Sequence, residues 1–212
     1  MSVYTQLTDE QFAAFCQRFG VSFARAIPIT QGIKNSNWFI QTTDDVDGAH
    51  SYVFTLFEER PPEDIEKMAV ILNQLDGKLP VAAPLALLDS GADSAEKGYV
   101  IRYDNKAITL VPCLAGAHPQ QTTQAMCYEI GAALAMLHET LQALQPAEEY
   151  GVPLYPWAEV RDREMQFMPG DEAKLMSDIW RAYSDLPLAT LPKGLCHLDM
   201  FADNTLWNLS LN

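Results

Sequence analysis

The hydrophobic positions of this 212-residue chain change their period twice, and the changes divide it into parts. Near the start, Phe12, Phe15, Cys16 and Phe19 fall at i, i+3, i+4 and i+7, which lines one face of a helix. Thr8-Asp9-Glu10-Gln11, just before them, has the form of a capping box, and Gly20 can supply a left-handed stop. This predicts a leading helix over 7–19. From there to about residue 111 the pattern turns to aromatic and β-branched runs broken by turn residues, which predicts strands at 23–29, 38–42, 51–57, 85–88, 99–103 and 107–111. Residues 31–37 read as a polar turn and 44–48 as a hairpin tip. Pro61-Pro62-Glu63-Asp64 opens a helix, with its acids where the macrodipole favours them. Ile65, Met68, Leu72 and Leu75 form its apolar stripe, and Gly77 ends it.

After a composition break at 112–119 the helical period returns. A long helix over 121–144 carries Met126, Ile130, Ala133, Leu134, Leu137 and Leu141 on one face. A loop over 146–156, a second helix over 171–183 and an extended run into 194–207 follow. The order predicts an α+β fold. Residues 1–111 form a lobe built on an antiparallel sheet with one helix packed across it, 112–119 a hinge, and 120–212 a mainly helical lobe. Trp157 reads as a core residue of that lobe, with the lining of an acceptor pocket as the alternative, His138 as a satisfied core histidine rather than a catalytic one, and His50 and His118 as solvent-side.

Composition narrows the function classes. Hydrophobic residues make up 48% of the chain, enough for a core and too many for a disordered protein. Fourteen Lys and Arg against 28 Asp and Glu give a net charge of −14, a field that repels nucleic acid and anionic lipid. The four cysteines are scattered without a C-x-x-C pair, which argues against zinc or a disulfide framework and for a reducing compartment. The first residues carry no basic and apolar leader, and no apolar run approaches the length of a membrane span, so the expectation is a soluble cytoplasmic protein.

The candidate chemistry lies near the end, in His197-Leu198-Asp199-Met200-Phe201-Ala202-Asp203-Asn204, which fits the spacing His-x-Asp-x-x-x-x-Asn of a kinase catalytic loop. Phosphoryl transfer to a hydroxyl needs a carboxylate to orient the acceptor and take its proton, the role of Asp199. An amide oxygen five residues on can face Mg2+ on the phosphates without adding another full charge, the role of Asn204. His197 would brace the loop. An ordinary polar loop would also accommodate these residues. Lys34, Asn35, Ser36 and Asn37 in the first inter-strand turn offer amides, a hydroxyl and an ammonium to phosphates, and equally suit a plain hairpin turn.

In this order the parts resemble the kinase-like fold of the aminoglycoside phosphotransferase and choline kinase superfamily, and within it the homoserine kinase family. The resemblance rests on Gly32-Ile33-Lys34-Asn35-Ser36-Asn37-Trp38-Phe39, similar to Gly-Ile-Glu-Asn-Thr-Asn-Tyr-Phe of that family. It also rests on Tyr52-Val53-Phe54-Thr55-Leu56-Phe57-Glu58, Leu134-Ala135-Met136-Leu137-His138, and the run from Leu191 to Asn204. It implies a protein-kinase-like two-lobed fold, ATP and Mg2+ as cofactors, and phosphorylation of L-homoserine on its hydroxyl, a step towards threonine. By the same analogy Thr55 lies on the nucleotide where many kinases carry a third-strand Lys, and the backbone at Val111 and Cys113 meets adenine. Choline, ethanolamine, a sugar or an aminoglycoside are the alternative acceptors, and a nucleotide-binding module without catalysis is the alternative of another class. No Asp or Glu follows Asn204 to supply the second metal carboxylate that the family uses. The expectation is therefore an N-terminal portion of a longer enzyme, with weak or no turnover of its own.

Overall fold

The computed structural model describes residues 4–30, 34–44, 52–88, 98–143, 157–187, 190 and 194–208. The predicted capping box forms in full. Thr8 accepts from the Gln11 amide, the Gln11 side chain accepts from the Thr8 amide at 2.9 Å, and helix α1 runs Asp9–Arg18. Gly20, at φ +74°, closes it, with Gly20 N–H donating to Gln17 O and Val21 N–H to Cys16 O, the paired bonds of a left-handed helix stop. Thr8→Ala should lower stability by about 1 kcal/mol, read as a shift in the urea midpoint.

Five strands form one antiparallel sheet: β1 Phe23–Pro28, β2 Asn35–Thr42, β3 Tyr52–Phe57, β4 Ile101–Tyr103 and β5 Lys106–Pro112, in the order β1-β2-β3-β5-β4. Alternation along the strands gives the sheet two different faces. Trp38, Ile40, Phe54, Leu56, Ile108 and Leu110 pack against Phe12, Cys16 and Phe19 of α1 in the main core. The opposite face meets helix α2, Pro62–Leu75, where Ile65 and Ala69 bury against Val100 and Ala107. Pro61 caps α2, and Gly77, at φ +71°, lies just past its end.

Some expected boundaries move. The turn expected over 31–37 gives way to β2 from Asn35, because Ser36, Trp38 and Ile40 continue one buried alternation. Residues 31–33 lie outside the described residues, as do 45–48 of the expected hairpin tip and His50. The strand expected at 85–88 is not part of the sheet. Leu85 donates to Leu110 O and Leu87 to Gly98 O, single bonds without a ladder.

The second lobe holds α3 Gln124–Gln142, α4 Trp157–Met165 and α5 Gly170–Ser184. The stripe on α3 buries Leu137 and Leu141. Helix α4 was not expected from the sequence, and Trp157 at its start is 59% exposed, which corrects its reading as a core residue. Leu75 and Leu79, at the end of α2, pack with Leu137 and Leu141 of α3 and with Leu195 and Met200. That cluster seats the Asp199 loop on the joint between the lobes. No described helix is long and apolar enough to cross a membrane.

Candidate active site

The loop over 194–208 is shaped by its own side chains. Leu198 sits at φ +62°, a left-handed conformation that costs a residue with a Cβ roughly 1–2 kcal/mol. This kink brings the Asp199 amide to 3.3 Å from His197 Nδ1, which accepts from it. Ala202–Asn204 forms a single 3-10 turn that returns Asn204 to Asp199. Asn204 Nδ2 donates to Asp199 O at 2.7 Å and to Asp199 Oδ2 at 3.0 Å. Because both partners accept, the amide nitrogen is the atom facing them, and Asn204 Oδ1 stands outside this pair of bonds. His197, Asp199 and Asn204 are all exposed, as an open site requires.

In the sheet, Asn37 lies directly across from Thr55, and Thr55 from Thr109. Cross-strand partners point to one face, so these three polar residues form a row on the α2 side of the sheet. Thr109, buried in this row, was missed in the sequence because a Thr in an apolar strand carries no signal of its own. Val111 shares that face one pair further along, opposite Val53, and Cys113 follows the end of β5. Burial pushes the Cys113 thiol up from its ordinary value. Lys34 lies just before β2.

Ser36 belongs to the other face, which corrects its expected part in a phosphate-holding turn. Its side chain is fully buried and its hydroxyl donates to Glu58 Oε1 at 2.5 Å while accepting from the Tyr4 amide at 2.8 Å. Thr5 Oγ1 donates to Glu58 Oε2 at 2.9 Å, and Lys106 Nζ pairs with the same oxygen at 2.5 Å. This network pins the N-terminal segment to the sheet. Burial alone would raise the Glu58 carboxyl, but hydrogen bonds from Lys106, Ser36 and Thr5, with the Lys106 charge, outweigh it and hold the pKa below the usual carboxylate range. A depressed folded-state pKa contributes stability above the unfolded value of about 4.3 that is lost as pH falls through the folded one. Glu58→Gln should therefore flatten the acid limb of the stability curve below about pH 4.5, measured by urea unfolding at stepped pH.

Thr55 cannot form the strand–helix ion pair of a third-strand Lys. Helix α2 is instead tied to the sheet by Arg102 of β4, with Nη1 2.7 Å from Glu63 and Nη2 3.0 Å from Glu66. These groups are half-exposed, so the tie orients α2 more than it stabilises the fold.

Residues 25–211 match the APH family, described as a phosphotransferase enzyme family. A homoserine kinase of Neisseria meningitidis serogroup B is 33% identical over 210 residues, covering 97% of this chain and 64% of that protein. A homoserine kinase of Ralstonia pickettii (strain 12J) is 31% identical over 215 residues, covering 98% of this chain and 61% of that protein. The chain thus spans a little under two thirds of the length of these curated relatives. Among solved structures, spectinomycin phosphotransferase in complex with ADP and spectinomycin superposes with a TM-score of 0.58 over 96% of this chain and 66% of that one. At 16% identity this likeness shows the fold, an α+β protein-kinase-like architecture.

Proposed function

The chain belongs to the APH phosphotransferase enzyme family, and on that premise we propose that it transfers the γ-phosphoryl group of ATP to the hydroxyl of L-homoserine. The observation that carries phosphoryl transfer is the pairing of Asn204 Nδ2 with the backbone carbonyl and one carboxylate oxygen of Asp199, which keeps the carboxylate and the side-chain amide of the loop together. Homoserine as the acceptor is supported by about one-third identity to homoserine kinases along nearly the whole chain.

In this reading Asp199 accepts a hydrogen bond from the acceptor hydroxyl, aims its oxygen at phosphorus and takes its proton as the new bond forms. Magnesium binds through oxygens, commonly one or two carboxylates with phosphate and water, and Asn204 offers it one neutral amide oxygen. Asn204 Oδ1 would hold the ion, which when bound offsets charge on the phosphoryl oxygens. Among the described residues, no group of three or more His, Cys, Asp or Glu could hold a metal ion. Lys34, Asn35 and Asn37 would line the phosphates and Thr55 the nucleotide face of the sheet. The backbone at Val111 and Cys113 would meet adenine. The loose transition state leaves positioning and charge stabilisation as the main work of these residues.

The test is magnesium-dependent ADP release with homoserine, choline, a sugar, an aminoglycoside or no acceptor. Release stimulated by homoserine alone is expected, at a low rate in a chain that spans under two thirds of the length of its relatives. Stimulation by another acceptor instead would overturn the assignment of substrate, and ATP binding without acceptor-dependent release would favour a non-catalytic nucleotide-binding module.

A further inference from the structure

Residues 116–118, three to five positions beyond Cys113, lie against residues 205–207, directly after Asn204. Ala117 N–H donates to Trp207 O at 3.0 Å and Trp207 N–H to Ala117 O at 2.9 Å, an isolated antiparallel bridge across the two lobes' connection. His118 Nδ1 lies 2.9 Å from Thr205 O. A carbonyl only accepts, so Nδ1 carries the proton of this bond. Gly116 has φ +132°, and a Cβ there would come within 3.1 Å of both Trp207 N and Trp207 O, so a side chain at this position pushes the strands apart. From Thr205 the bonding continues into the catalytic loop. Trp207 Nε1 donates to Thr205 Oγ1 at 3.0 Å, and Thr205 Oγ1 donates to Ala202 O at 2.8 Å, at the base of the turn that presents Asn204.

We propose that Gly116, His118 and Trp207 form a clasp that holds the Asn204 turn at a fixed distance from the segment after β5, with His118 as a positioning residue for the magnesium-bearing end of the nucleotide site. This rests on the proposed function. If the segment after β5 meets the base and Asn204 meets the metal, the clasp sets the span between the two ends of bound ATP. Ten residues separate Pro112 from Thr123, without a regular element, so nothing in the local chain would set that span otherwise. The acidic charge of the protein makes that span matter more, because nucleotide without a well-placed cation is repelled.

The experiment is calorimetric titration of the full chain with ATP, in magnesium and in EDTA. Wild type is compared with His118→Ala, His118→Asn and Gly116→Ala, each first checked for native circular dichroism. The clasp predicts that His118→Ala weakens magnesium-ATP binding by roughly three- to ten-fold, the loss of one hydrogen bond, with affinity in EDTA unchanged. His118→Asn, whose amide N–H can reach the same carbonyl, should recover most of the loss. Gly116→Ala opens the bridge from the other side and should reproduce the magnesium-selective loss even if His118→Ala does not fold. Equal weakening in magnesium and EDTA, or no weakening, would overturn the clasp while leaving the nucleotide reading intact. Wild type that binds no ATP in either condition would overturn both, and the wild-type titration alone distinguishes that case.

Discussion

Asp199→Asn should reduce magnesium-dependent phosphoryl transfer by roughly 10²–10⁴-fold while ATP binding survives, the effect of removing a positioned general base. The structure explains why these two readouts separate. Asn204 reaches Asp199 through a backbone carbonyl and one carboxylate oxygen, and an asparagine at 199 keeps the carbonyl and can turn its own amide oxygen to the same donor. The Leu198 kink and the bond from the Asp199 amide to His197 use backbone atoms and are unaffected. On the proposed function, what disappears is the basic oxygen that would face the acceptor. Steady-state rates and ATP titrations on wild type and variant provide the check. Loss of ATP affinity in proportion to loss of rate would mean that Asp199 holds the loop together and does no proton transfer.

Phe54→Ala should cost about 3–5 kcal/mol of stability, the range for removing a fully buried aromatic ring. Phe54 has no exposed surface and stands where three elements meet. Its ring centroid lies 5.2 Å from that of Phe12 and 5.7 Å from that of Trp38, both edge-on, and 6.2 Å from that of Phe15. The substitution thus opens a cavity between α1 and two strands, and also removes edge-to-face contacts worth something beyond area alone. Domains carry only about 5–15 kcal/mol in total, so the loss would bring this lobe close to unfolding at room temperature. Urea unfolding followed by circular dichroism measures it, with Tyr128→Ala on the exposed face of α3 as a control expected to stay within about 0.5 kcal/mol. A loss below about 1 kcal/mol for Phe54→Ala would mean that the ring is not the keystone of this core.

The same residues show which parts of the fold could be read from sequence. Signals that are local and redundant were legible. Thr8 and Gln11 cap α1 as their types require, Gly20 ends it, and the alternation through Phe54 and Leu56 marks β3. The spacing from His197 to Asn204 was legible because the chemistry demands fixed offsets, whereas the bond from Asn204 to Asp199 that closes the loop was not. What was hidden depends on contacts between distant positions. Ser36 looks like a turn hydroxyl beside two Asn residues, yet one step of strand alternation turns it away from Asn35 and Asn37, towards Glu58 and a lysine 48 residues further on. Thr109 gains meaning once register sets it beside Thr55. His118 looked like a surface histidine and is exposed, but its ring nitrogen meets a carbonyl 87 positions away. Helix α4 escaped notice because five of its nine residues are charged, leaving no apolar stripe to read.

The central claim is that the Asp199–Asn204 loop directs the γ-phosphoryl group of ATP onto an alcohol, with L-homoserine as that alcohol. Phosphorus NMR of the purified chain incubated with ATP, magnesium and L-homoserine tests it most directly. A new phosphomonoester resonance growing in step with ADP, and absent with Asp199→Asn, is the predicted result. ADP and inorganic phosphate without any phosphomonoester, or an equal phosphomonoester signal from Asp199→Asn, would contradict it.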